Sequence, residues 1–181
     1  HEWEDIELEK KMFADANIEL HILQSKEKAQ IIEAAKTSDA LLVLYGIIDK
    51  DVLDAAPNLK LVSRYGIGVN MIDVDHATAV GVQVANVNDY CVDEVSDHAL
   101  AGILASSRRL IEYNIDTENG NWDFKAVNRP LRANKAVVGL LGYGKIPKRL
   151  AEKLNVIGYR LMAYDPFVDA DIMLKDNVHK S

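Results

Sequence analysis

With 181 residues, 49% hydrophobic and 27% charged, the chain has the balance of a globular protein and room for one ordinary domain or two small ones. Its formal charge of -7, with acids and bases mixed along the sequence, excludes the basic stripe of a nucleic-acid surface. No apolar run approaches the roughly 20 residues of a membrane span, no secretory signal opens the chain, and Cys91 as the sole cysteine rules out an internal disulfide, so a cytoplasmic location is expected.

In chain order, residues 5–16 have helical period, and 18–23 (IELHIL) read as a first strand. A helix is expected at 26–37 with Ser25 as a candidate N-cap. Residues 40–45 (ALLVLY), 59–64 (LKLVSR) and 82–86 (VQVAN) read as further strands. Helices at 50–55 and 73–79 fall between them, with Asp73 as a candidate N-cap and Gly81 as a stop. The largely apolar strands suit a sheet covered on both faces. The alternation of strand and helix predicts a parallel, doubly wound α/β sheet.

A long amphipathic helix is expected over 92–114, with Val92, Val95, Ala99, Leu100, Ile103 and Leu104 on its buried face. A polar stretch follows at 116–121 (DTENGN), with Trp122 and Phe124 close behind. Then come a strand at 136–141 (AVVGLL), a helix near 146–157 and a strand at 159–164 (YRLMAY). No repeat of fixed period and no low-complexity tract interrupts this order.

The sharpest local signal is the run from Val137 to Pro147, in which a strand ends at Gly142, turns through Gly144 and enters a helix. Gly142 permits a tight turn, and Gly144 lets the backbone approach a pyrophosphate with no side chain between them. The anion would sit at the helix N-terminus near Lys145 and Ile146, where unpaired N–H groups and the helix dipole both favour it. Asp165 ends the next strand, where a carboxylate can accept hydrogen bonds from an adenosine ribose. A carboxylate there would repel a 2′-phosphate, which points to NAD rather than NADP. The plainer reading of Asp165 is a residue that only caps a turn. One position departs from the dinucleotide pattern: Pro147 stands where the third glycine or an alanine is usual, although proline is tolerated in a first helical turn.

Several motifs in one order carry a wider resemblance. They are Arg64-Tyr65-Gly66-Ile67-Gly68-Val69-Asn70-Met71-Ile72-Asp73, then Asp89-Tyr90-Cys91-Val92-Asp93-Glu94-Val95-Ser96-Asp97-His98, then Gly142-Tyr143-Gly144-Lys145-Ile146 and Tyr164-Asp165-Pro166. In these the chain resembles the D-isomer-specific 2-hydroxyacid dehydrogenases, most of all their branch related to phosphoglycerate dehydrogenase and the C-terminal-binding proteins. The resemblance implies a flavodoxin-like, substrate-binding domain at 1–89 and the N-terminal part of an NAD-binding Rossmann domain at 90–181, with the active site in a cleft between them. It implies that backbone at Ile67 and Gly68 meets the substrate carboxylate, that Cys91 contacts the cofactor, and that Tyr45, Arg64 and Tyr65 are candidates to line the cleft. Without the resemblance, the glycines beside Ile67 could serve a strand-ending turn alone, and Cys91 could be a small buried residue at a helix start.

The implied reaction is hydride transfer between NAD and C2 of a small 2-hydroxy or 2-keto acid. An arginine, a glutamate and a histidine serve it, and the resemblance places all three beyond residue 181, so no catalytic residue is assigned in this chain. Only one strand-helix-strand is read after residue 136, and no strand is read before the helix at 5–16, so the sequence reads as an excerpt of a longer protein, inactive alone. Glu94 and His98 have metal-ligand spacing on one helix face, but no further ligands lie near and no metal is expected. The helix after Cys91 and its extension to Trp122 resemble a dimerisation arm, implying a homodimer. The alternative function is an NAD(H)-sensing, corepressor-like dimer without essential catalysis; a third is a flavodoxin-like binding module that takes no dinucleotide.

Overall fold

The computed structural model describes residues 5–125 and 128–181. The chain forms two compact units, His1–Tyr90 and Cys91–Ser181, each α/β with its own parallel sheet.

The first unit runs α1 (Glu7–Asp15), α2 (Lys28–Ala35), β1 (Ala40–Val43), α3 (Lys50–Asp54), β2 (Leu61–Arg64), α4 (Val74–Ala79) and β3 (Gln83–Ala85). Its strands lie in the order β1-β2-β3, all parallel, with Val43 opposite Arg64 and Ser63 opposite Ala85. Val43, Val52, Leu53, Val62, Ala77 and Val82 form the centre of its core, with Ile31 and Ala35 added from α2. Short helices are held by side chains at their ends. The Asp49 carboxylate accepts from the Val52 N–H at the start of α3, and that of Asp73 accepts from the His76 N–H at 2.9 Å to start α4. Lys28 then ties α2 to Asp49 and Asp51, and His76 meets Asp54 at 2.7 Å.

Two expectations for this unit need correction. Residues 18–23 form no strand: Ile18 and Ile22 are exposed and Leu23 only rests against the core. An apolar run becomes a strand only where a neighbouring strand takes its N–H and C=O groups, and the order β1-β2-β3 includes no such partner. Ser25 is not the N-cap of α2. That position is Glu27, and the Ser25 hydroxyl accepts the Glu27 N–H at 3.0 Å one step earlier.

The second unit runs α5 (Val92–Arg108), α6 (Leu110–Glu118), β4 (Val137–Leu141), α7 (Lys145–Ile157), β5 (Arg160–Tyr164), α8 (Ala170–Lys175) and β6 (Val178–Lys180). The sheet order is β4-β5-β6, all parallel, with Leu141 opposite Tyr164 and Ala163 opposite Lys180. Leu140, Leu150, Ala151, Leu154, Leu161, Met173 and Val178 make the core, and Ala99, Leu100, Ile103 and Leu104 of α5 pack against it. Gly158, with φ at +94°, closes α7 in the left-handed conformation that spares the chain a Cβ penalty.

Here the single helix expected over 92–114 is two helices. Arg109 takes a left-handed φ of +58°, which ends α5 and restarts the chain as α6, carried on through much of the polar stretch to Glu118. Val95 is exposed, while Ser96 and Ser107 occupy the buried stripe. Both serines are satisfied: Lys153 donates to the Ser96 hydroxyl at 2.6 Å, and the hydroxyls of Ser107 and Tyr159 lie 2.8 Å apart. Residues after Asp165 add α8 and β6, so three parallel strands, not two, follow residue 136. The two-sided burial expected of the first unit's strands is not met either, since β1 leaves Ala40 and Leu42 exposed and β3 leaves Gln83 and Ala85 exposed.

Candidate functional site

The glycine turn joins β4 to α7. Gly142 has a φ of +89°, which its lack of Cβ makes inexpensive, and its N–H still reaches the Tyr164 carbonyl at 2.8 Å. Tyr143 drops its ring into the interior, leaving 1% exposed. Gly144 is the N-cap of α7, and the first intrahelical bond runs from the Lys148 N–H to the Gly144 carbonyl at 3.1 Å. Pro147 lies before that bond, at a position where a helix has no carbonyl to receive an N–H. The proline therefore leaves the turn intact.

The N–H groups of Gly144 and Ile146 donate to no other group among the described residues. A Cβ built on Gly142 or Gly144 meets no atom within 4 Å, so the approach to this backbone is open. The first turn of α7 carries no acid. Lys145 and Lys148 stand there instead, adding positive charge where the helix dipole is already positive. That arrangement disfavours the bare helix slightly and favours an anion docked on it. The open backbone, dipole and lysines fit a diphosphate.

Asp165 follows the end of β5 and turns toward this crevice. Its Oδ2 accepts the Tyr143 N–H at 2.7 Å, and its Oδ1 accepts the Phe167 N–H at 2.9 Å. These two backbone donors, Tyr143 first, hold its carboxyl below the usual carboxylate range. Turn capping is thus part of its work. Each oxygen keeps a second acceptor position, so the same carboxylate can also take ribose hydroxyls. Gly142, Gly144, Lys145, Ile146 and Asp165 therefore come together at one end of the β4-β5 pair.

Cys91 is the N-cap of α5, half-buried, with its thiol making no capping bond. α5 in turn is clamped to α7, the helix that the glycine turn opens, by Arg149 to Asp93 at 2.6 Å and Lys153 to Asp97 at 2.6 Å. Glu94 and His98 are both exposed on α5.

Ile67 and Gly68 belong to the first unit, in the loop after β2. The Asn86 amide donates to the Ile67 carbonyl at 2.7 Å, and the Val87 N–H donates to the Gly66 carbonyl at 3.1 Å, which fixes the loop from both sides. The N–H groups of Ile67 and Gly68 donate to nothing among the described residues. Beside the loop lies a cavity of about 430 Å³ lined by Tyr45, Arg64, Tyr65, Gly66, Val87 and Tyr90, with Leu44. The Arg64 guanidinium lies over Gly66, so close that any Cβ there would collide with it, and donates to the Tyr65 carbonyl at 3.3 Å. Burial, then the charge of Glu9 beside it, pushes the Tyr65 hydroxyl up from its ordinary pKa. Sequence reasoning did not find Val87 and Tyr90 in this lining, nor Lys148 beside the expected Lys145 in the first turn of α7. The charge pattern of the first turn was the available signal for the latter.

Residues 4–173 match the family described as "D-isomer specific 2-hydroxyacid dehydrogenase, catalytic domain". A D-3-phosphoglycerate dehydrogenase of Mycobacterium leprae is 34% identical over 152 residues, covering 83% of this chain and 29% of its own length. A glyoxylate reductase of Thermococcus kodakarensis is 32% identical over 141 residues, covering 74% of this chain and 42% of its own. The chain thus spans less than half the length of these relatives. In fold it is similar to a D-lactate dehydrogenase from Aquifex aeolicus, solved with NAD and lactic acid, with a TM-score of 0.84 at 23% identity over 100% of this chain and 54% of that one.

Proposed function

This chain belongs to the D-isomer-specific 2-hydroxyacid dehydrogenase family, and from that premise we propose that its protein interconverts a D-2-hydroxy acid and the corresponding 2-keto acid with NAD. The observation that carries the reading is the open, acid-free turn at Gly142–Ile146 facing the Asp165 carboxylate. In this proposal the N–H groups of Gly144 and Ile146, with Lys145, hold the diphosphate, while Asp165 holds the adenosine ribose and disfavours a 2′-phosphate. Bound there, the nicotinamide cofactor supplies or accepts the hydride. Residues 90–181 form part of the cofactor domain, with Cys91 touching the cofactor, and 1–89 form the substrate domain. Ile67 and Gly68 offer their N–H groups to the substrate carboxylate. The arginine, glutamate and histidine of the family's chemistry are assigned to no residue of this chain.

A homodimer completes the proposal, supported by the exposed Leu110, Ile111 and Ile115 of α6 and by Trp122 beyond it. No described helix is long and apolar enough to cross a membrane, and we place the protein in the cytoplasm, a setting that suits its lone free thiol. The relatives reported above are named as dehydrogenases and a reductase, which favours turnover over nucleotide sensing. A panel of 2-keto acids with NADH, followed by the absorbance of the reduced nicotinamide, tests the reading. Oxidation of NADH by at least one acid is expected; no oxidation with any of them, by protein that is folded and full-length, refutes it.

A further inference from the structure

The turn between β4 and α7 has glycine on both sides of one side chain, that of Tyr143. Two glycines in three residues give a backbone many accessible conformations, yet anion binding at a helix start needs the N–H groups held in one. Tyr143 is bonded at both ends. Its N–H donates to Asp165 Oδ2 at 2.7 Å, and its hydroxyl donates to Asp176 Oδ2 at 2.8 Å. The ring between is 1% exposed, with the Lys148 ammonium 5.7 Å from its centre.

Asp176 is itself fixed. It is the C-cap of α8, followed by Asn177 at a left-handed φ of +55° and then by β6. Its backbone carbonyl accepts the Asn155 amide of α7 at 2.7 Å. The Tyr143 hydroxyl is thus anchored to a turn that is tied both to α7 and to the third strand. A buried phenol needs such a partner, and a charged acceptor makes the stronger bond. The hydroxyl gives the buried ring a fixed anchor at Asp176 that a phenylalanine at this position would lack.

We propose that the Tyr143–Asp176 hydrogen bond is a latch that holds the glycine turn in its cofactor-binding conformation, which makes Tyr143 a positioning residue for the dinucleotide. The proposal rests on the cofactor reading given above. By holding the Tyr143 side chain in one place, the latch restrains the backbone it grows from, with the Gly144 N–H on one side and the Asp165 contact on the other. Without it, the turn must be ordered at the moment of binding, and that ordering is taken from affinity.

The test compares full-length wild-type protein with Tyr143→Phe, Asp176→Ala, the double variant, and Asp176→Asn, which keeps an amide oxygen to receive the hydroxyl. NADH affinity is read by nicotinamide fluorescence, and kcat is read at saturating NADH. Tyr143→Phe and Asp176→Ala should each weaken NADH binding about tenfold, the equivalent of ordering one or two side chains. The double variant should be no weaker than either, kcat should hold, and Asp176→Asn should bind nearly as wild type does. Asp176→Ala and Asp176→Asn keep the comparison open if Tyr143→Phe folds poorly. Additive losses, or variants that melt earlier yet bind NADH as wild type does, overturn the latch alone. A wild-type protein that binds no NADH overturns the cofactor reading and the latch with it.

Discussion

Replacing Gly142 and Gly144 separately by alanine should divide stability from cofactor binding. Gly142 sits at a φ of +89°, where an L side chain is strained, so Gly142→Ala should cost about 1–2 kcal/mol. Gly144 sits at a φ of -81° and ψ of -161°, ordinary extended backbone, and a Cβ there meets nothing within 4 Å. Alanine restricts the unfolded chain, a gain of about 0.4–1 kcal/mol, but is a poorer N-cap than glycine, a loss of similar size. The two effects should cancel to within about 1 kcal/mol. In the proposed cofactor site the same methyl group would stand between a diphosphate and the backbone N–H groups. Losing one hydrogen bond to a charged group removes about 1.5–3 kcal/mol, or about 10- to 150-fold in NADH affinity. Urea unfolding and NADH fluorescence titration on the two variants read these quantities. The reasoning fails if Gly144→Ala destabilises the fold as much as Gly142→Ala, or if Gly144→Ala binds NADH as wild type does.

Asp165→Asn should shift cofactor choice, because unit charges about 4 Å apart interact by roughly 1–4 kcal/mol near a surface; the NADPH-over-NADH preference in kcat/KM should rise about fivefold or more. An unchanged ratio would remove Asp165 from the ribose site. Tyr159→Phe deletes the buried bond to Ser107 and should lower unfolding free energy by about 1 kcal/mol with NADH affinity unchanged, as read by urea titration. Asp49, hydrogen-bonded to Lys28, and Asp93, hydrogen-bonded to Arg149 and then Lys153, are both held below the usual carboxylate range. They therefore stabilise the fold above about pH 4 and stop doing so as pH falls through their lowered values, and Asp93→Asn should flatten the acid limb of the urea midpoint against pH. An acid limb of unchanged steepness would mean that the ion pairs of Asp93 with Arg149 and Lys153 contribute nothing.

What was legible in the sequence was local. Gly142, Gly144 and Asp165 could be placed because a turn between a strand and a helix has its own residue pattern, and the structure brings them together. Asp73 could be placed as an N-cap for the same reason. What failed depended on partners distant in sequence. Residues 18–23 have strand-like residues and no strand beside them. Ser96 and Ser107 break the apolar stripe of α5 because Lys153 and Tyr159, more than 50 residues on, supply their hydrogen bonds. Short α8 and β6 escaped notice because Met173 and Val178, one fully buried residue in each, make no periodic pattern. The break at Arg109 has no local signal, since arginine is not a residue that favours a left-handed φ. The Tyr143–Asp176 bond spans 33 residues and was invisible for the same reason as the serine contacts.

A crystal structure of the full-length protein with NADH bound is the most direct test. The account predicts the diphosphate within hydrogen-bonding distance of the Gly144 and Ile146 nitrogens, and the adenosine ribose hydroxyls on the Asp165 carboxylate. A dinucleotide bound elsewhere, or Asp165 occupied only by the Tyr143 and Phe167 N–H groups while NADH is present, would contradict it.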